Sequence, residues 1–311
     1  MKHLHGIITL LILLFVATAC NFPGLPTPEV PTATEELTEP PVVETTESIE
    51  TEPPVTETTE VIETEAPTEE VTQPPYTCLP DFIQASAFTA EFCYPASAAI
   101  GYNAVIIPEE PFSTDLPFWA IHPEMIEISL MGYPVIGQYQ QPQVFIYPIA
   151  DYIALVPEIG TIVTDLETLL TDQPADPSSI PFLPIYNAAQ MMQAQTTYLS
   201  FRNGRGVRFI TQYGQAALPI NNLSAIYAFV GLTDDGQYVI SATFPVNHPL
   251  FANDDMTEPS EGWAAFSENY ETYTATMEAD LALQAPASFT PDLSILDEMM
   301  SSFLVPVDVI P

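Results

Sequence analysis

The sequence is nearly without positive charge: 4 lysines and arginines stand against 41 acids in 311 residues, a formal charge of -37. Lys2 is the sole lysine. Beyond it no side chain can form a Schiff base, attach pyridoxal phosphate or serve as a phosphate-loop lysine. A chain this acidic repels a phosphate backbone, which argues against nucleic acid as a partner. Cysteine and histidine are also scarce, at 3 and 4 residues. The patterns HExxH, CxxC, GxGxxG and GxSxG do not occur, so no catalytic residue, metal site or cofactor is assigned.

What the chain has is strongly partitioned. An apolar run from residue 7 to residue 16 follows Lys2 and gives way to Ala17-Thr18-Ala19-Cys20. The run is about half the roughly 20 residues that a membrane-spanning helix needs, and reads as a signal-peptide core. The four residues ending at Cys20 resemble the lipobox of bacterial lipoproteins, with Ala17 where that family usually carries leucine. The resemblance implies cleavage after residue 19, and lipid attached to Cys20 as a membrane anchor on the extracytoplasmic face. The plainer alternatives are an ordinary leader with an incidental cysteine, or an uncleaved N-terminal helix.

Residues 20–76 form a different kind of sequence. Fourteen glutamates and no base occur between residues 21 and 76, amid threonine, proline and valine. A thirteen-residue unit repeats in tandem, TEPPVVETTESIE over residues 38–50 and TEPPVTETTEVIE over residues 51–63. Each copy has three apolar residues and no aromatic. That is too little burial to offset the roughly 1–2 kcal/mol per residue lost on ordering a backbone. A disordered, extended stalk is expected here, rich in polyproline-II conformation and open to O-glycosylation.

Residues 77–311 read as one folded α+β domain, an antiparallel sheet of hairpins covered by helices. Cys78 and Cys93 would pair as a disulfide in an oxidising compartment; two free thiols, or half a metal site, are the alternatives. Strands are expected over 88–94, 126–131 and 144–149, and helices over 161–170 and 185–196. Asn203-Gly204-Arg205-Gly206 and Thr233-Asp234-Asp235-Gly236 each sit between apolar runs. They predict hairpins 198–213 and 226–244, on the reading that these turn residues tolerate positive φ. A long helix is expected over 262–283, and a last one capped by Thr290-Pro291 with Leu293, Leu296, Met300 and Phe303 on its inner face. In outline, a strand running into Tyr94-Pro95, central hairpins and a closing helix ending Ser301-Ser302-Phe303 resemble the PsbP/Mog1-type α/β/α sandwich.

Four features bear on chemistry. Arg202, Arg205 and Arg208 crowd one hairpin and are the candidate anion-binding residues, holding a carboxylate, sulfate or phosphate; the plainer reading is that they neutralise nearby acids. Asp254, Asp255, Glu258 and Glu261 form an oxygen-rich segment without EF-hand spacing, which a solvated loop explains as well. His248 and His122 each precede a proline and would act as general bases only beside an activated group. Tyrosine and phenylalanine are abundant, at 14 and 17 residues, mostly as core. The function expected is therefore a non-enzymatic, membrane-anchored lipoprotein that binds an envelope polymer, an envelope protein or a small anion. The alternatives are a polymer hydrolase with paired carboxylates and an accessory factor for an envelope complex.

Overall fold

The computed structural model describes residues 76–137 and 139–310. The expected leader, Cys20 and the acidic repeat lie outside these described residues. Eleven strands and five α-helices follow in the order β1 (Phe82–Ala87), β2 (Ala90–Pro95), β3 (Gly101–Ile107), β4 (Met125–Met131), β5 (Gln143–Pro148), α1 (Ile149–Leu155), α2 (Ile159–Asp172), β6 (Ala189–Gln190), β7 (Ala194–Phe201), β8 (Gly204–Thr211), β9 (Tyr213–Gly214), β10 (Ile226–Thr233), β11 (Tyr238–Pro245), α3 (Trp263–Glu268), α4 (Tyr270–Ala282) and α5 (Leu293–Ser301). Seven of the strands form one sheet, in the order β3-β4-β5-β11-β10-β8-β7, with every neighbouring pair antiparallel. The α+β class and the hairpin sheet beneath helices hold.

The central strands are buried on both faces, which explains their nearly unbroken apolar runs; every residue of β10 and β11 is buried. Alternation divides β10 between two cores. Tyr227 and Phe229 join Ile146, Ile240, Leu293, Leu296, Met299 and Met300 beneath α5, together with Phe92 of the β1–β2 hairpin. Ala228, Val230 and Leu232 face the other way, with Val207, Phe209, Tyr147, Ile159, Leu166 and Leu170 beneath α2. Helix α2 ends as its sequence dictates: Gln173 turns into the left-handed region at φ 44°, its N–H bonds Leu169 O at 2.9 Å, and Pro174 follows. The Cys78–Cys93 disulfide is formed, with the Cα atoms 5.9 Å apart, and fastens the start of the domain to β2.

Several expected elements differ. The run at 185–196 is not a helix. Met191 N–H bonds Gln212 O at 2.8 Å, Ala189 pairs with Gly214, and Ala194 pairs with Ile210. Backbone partners on β8 and β9 thus replace the intrahelical ones, and a helical spacing of Ile185, Ala188, Ala189 and Met192 loses to sheet pairing. The strand expected over 88–94 is half of a hairpin that turns at Phe88-Thr89. The helix expected over 262–283 breaks at Asn269, whose Nδ2 donates back to Ala265 O at 2.8 Å. Thr290-Pro291 does not cap α5. Thr290 instead exchanges two backbone hydrogen bonds with Asn247, and Asp292 is the cap, accepting from Ser294 N–H at 2.9 Å.

The hairpin at Arg202-Asn203 forms where expected, but its glycines serve packing. Neither Gly204 nor Gly206 has positive φ. A Cβ on Gly204 would lie 2.1 Å from the Phe201 ring, and one on Gly206 would lie 2.3 Å from Phe229. At the second hairpin the expected reason holds, with Gly236 at φ +67°.

Candidate functional site

The three arginines do not converge. Arg205 and Arg208 lie three residues apart on β8, an odd spacing that sends their side chains to opposite faces. Arg208 is buried under α5, where its Nε donates to Asp297 Oδ1 at 3.0 Å and its Nη2 to Asp297 Oδ2 at 3.3 Å. Its Nη1 also donates to Gln195 O, and the Tyr227 hydroxyl donates to Asp297 Oδ1 at 2.9 Å. Burial pushes the Tyr227 phenol well up, with Asp297 adding to the shift, so it stays a donor. Arg202 pairs with Glu91 at 2.6 Å and lies 4.7 Å over the Tyr76 ring. Arg205 is exposed beside α2, bonding Thr171 Oγ1 at 3.3 Å in a hollow of about 150 Å³ that also holds Glu167 and Asp234. The single anion notch expected at Arg202, Arg205 and Arg208 is therefore corrected: two of them neutralise acids, and the third stands beside two more.

His248 is arranged against base catalysis. Leu250 N–H donates to its Nδ1 at 3.2 Å, so the proton sits on Nε2, which donates to Ser288 Oγ at 3.0 Å. The Ser288 hydroxyl in turn donates to Ala285 O at 2.7 Å. The serine proton thus points away from the imidazole, opposite to the geometry of a serine–histidine nucleophile. Rings of Phe289 and Phe251 flank the imidazole at 4.4 and 5.6 Å, and burial lowers its pKa. His122 holds Pro123 O through Nδ1 at 3.0 Å and shares a backbone bridge with Glu110. In the oxygen-rich segment, Asp254 closes a turn by accepting from Met256 N–H and the Thr257 hydroxyl, each at 3.0 Å. Among the described residues, no group of three or more histidine, cysteine or acid side chains converges as metal ligands.

The aromatic residues supply a better candidate. A cavity of about 440 Å³ opens at one end of the sheet, between the β4–β5 loop, the chain entering β6, and β9. Its wall includes Tyr139, Gln140, Tyr186, Tyr213, Gln215 and Asp255. The Tyr186 and Tyr213 rings lie 4.3 Å apart at 43°, and both rest on Phe182. The Tyr186 hydroxyl donates to Gln140 Oε1 at 3.1 Å. Burial raises both phenols above their ordinary value, so they remain protonated and neutral. The Tyr213 hydroxyl makes no hydrogen bond among the described residues, and Asp255 has no ion-pair or hydrogen-bond partner among them.

Sequence reasoning assigned Asp255 to a solvated loop and missed the tyrosines. A signal was present: Gln138-Tyr139-Gln140-Gln141 and Gln212-Tyr213-Gly214-Gln215 repeat one Gln-Tyr-x-Gln pattern at separate loops, and the fold brings both tyrosines to one cavity. The cavity offers aromatic surface, neutral phenol donors and a single carboxylate. Among the described residues, its wall lacks the paired carboxylates that a glycoside hydrolase needs. No protein-family model matches the chain, and no curated protein sequence matches it.

Proposed function

We propose that this chain is an extracytoplasmic lipoprotein, held to a membrane by lipid on Cys20, whose folded domain binds a ligand in the tyrosine-lined cavity without transforming it. The Cys78–Cys93 disulfide carries the compartment, because such bonds persist outside the reducing cytosol. The leader-like run ending at Cys20 and the acidic, proline-rich tether after it are what an anchored domain needs. The binding role is supported by the cavity itself. Its phenols are held protonated, it has one carboxylate, and neither histidine of the domain lines it.

Metabolic labelling with a fatty-acid probe tests the anchor. The wild-type protein takes up label and partitions with membranes, whereas Cys20→Ser loses both. Unlabelled wild-type protein, or protein recovered with residues 1–20 intact, refutes the anchor. A second reading, an accessory factor for an envelope complex, draws support from the antiparallel sheet with helices on both faces, an arrangement in keeping with the PsbP/Mog1-like outline. Co-purification of a defined envelope complex with the full-length chain separates it from the small-ligand reading.

A further inference from the structure

We infer that the tyrosine-lined cavity takes a small organic cation, an ammonium group carried on a partly apolar body. The inference rests on the cavity being a binding site, and goes on to assign the ligand's charge. The volume, about 440 Å³, lies within the range of small-molecule sites, roughly 300–1,000 Å³.

Among the described residues, the wall contains no base. The domain's three arginines are committed elsewhere: Arg202 to Glu91, Arg208 to Asp297, and Arg205 to a separate hollow beside α2. An anionic ligand would therefore meet Asp255 with nothing to offset it, in a domain of 27 acids and three arginines. The same field concentrates cations at the surface and steers them in.

A neutral, hydroxyl-rich ligand would suit the tyrosine rings, but half of the amide atoms in the wall are already used and it would leave the Asp255 carboxylate without a counter-charge. Gln212 donates to Pro219 O at 3.3 Å and accepts from Asn221 N–H at 3.0 Å. Gln215 Nε2 donates to Asn187 O at 2.6 Å, and Gln140 Oε1 takes the Tyr186 proton. What remains to meet a ligand is the electron-rich ring surface, the Asn187 amide, Gln140 Nε2, the Ser224 and Tyr213 hydroxyls and the Asp255 carboxylate. Of these only the rings, through their quadrupole, and the carboxylate discriminate by charge, and both attract a cation.

Choline, its uncharged carbon isostere 3,3-dimethylbutan-1-ol, and glucose are suitable probes, titrated calorimetrically into the full-length protein in detergent. Choline should bind, and the isostere should bind about tenfold more weakly, since only the charge differs. Asp255→Asn should weaken choline by about tenfold without moving the melting temperature, and raising the salt concentration should weaken it further. Tyr213→Leu should abolish choline binding, and an unchanged far-ultraviolet spectrum with a cooperative thermal transition would show that the fold is intact. Equal binding of choline and its isostere, or choline binding indifferent to Asp255→Asn, overturns the cation assignment. Glucose binding in place of choline also overturns it, while leaving the cavity as a binding site. Failure of all three probes overturns both.

Discussion

Two sites in this fold combine tyrosine with aspartate, and they have opposite characters. Under α5, Tyr227 and Asp297 are joined by Arg208, the two charges are matched, and Tyr227 and Arg208 are buried while Asp297 keeps about a fifth of its side chain exposed. At the end of the sheet, Tyr213 and Asp255 line one open cavity, with no base in its wall among the described residues. The difference teaches where charge is structural and where it is available. A buried guanidinium must be paired to be tolerated, whereas a carboxylate at an open cavity can take its partner from outside.

The comparison can be broken most forcefully from the closed side. Arg208→Met takes the counter-charge from half-buried Asp297, which keeps only the Tyr227 hydroxyl, and the donor from Gln195 O, and should cost about 3–4 kcal/mol in urea unfolding, the lower part of the range for breaking a buried pair. The double change Arg208→Met with Asp297→Leu should recover much of that loss. If the single variant is as stable as wild type, the closed cluster is not structural. Next in size is the disulfide. Cys78→Ser with Cys93→Ser should lower stability by roughly 3 kcal/mol, the chain-entropy value for a separation of 15 residues. Because the bond anchors β2 on the α5 side, cavity binding in the surviving folded protein should be unchanged.

A smaller effect belongs to His248, which packs against Phe289 and Phe251. Burial lowers its folded pKa below the unfolded value of 6.5, so the unfolded chain takes up the proton more readily. Its contribution to stability is complete above pH 6.5 and is lost as the pH falls from there through the folded value. Urea midpoints followed from pH 8 to pH 5 should drop more steeply for wild type than for His248→Phe, and parallel curves would refute this account. Smallest of all, Asp255→Asn should change stability by less than about 0.5 kcal/mol, since its carboxylate holds nothing in the fold. A larger loss by thermal melting would move Asp255 into the structural class with Asp297.

Parts of this molecule were legible because their causes are local. Thr233-Asp234-Asp235-Gly236 turns where it should, with Gly236 at positive φ, and the inward spacing of Leu293, Leu296, Met300 and Phe303 matches four buried residues. The glycines of the other hairpin were placed correctly for the wrong reason, since the rings they accommodate belong to Phe201 and to Phe229 on a neighbouring strand. The cavity was not legible: Tyr139, Tyr186, Tyr213 and Asp255 come from four separate segments, and no spacing rule links them.

By itself the sequence determined the scarcity of bases, the antiparallel hairpins and the pairing of two cysteines fifteen residues apart. These follow from composition and from interactions within a few turns of chain. Only the tertiary structure decided that residues 185–196 join a sheet, that the arginines part company across β8, and that tyrosines from distant loops share a wall. Those outcomes turn on which surfaces are buried against each other, and that contest is settled between segments far apart along the chain.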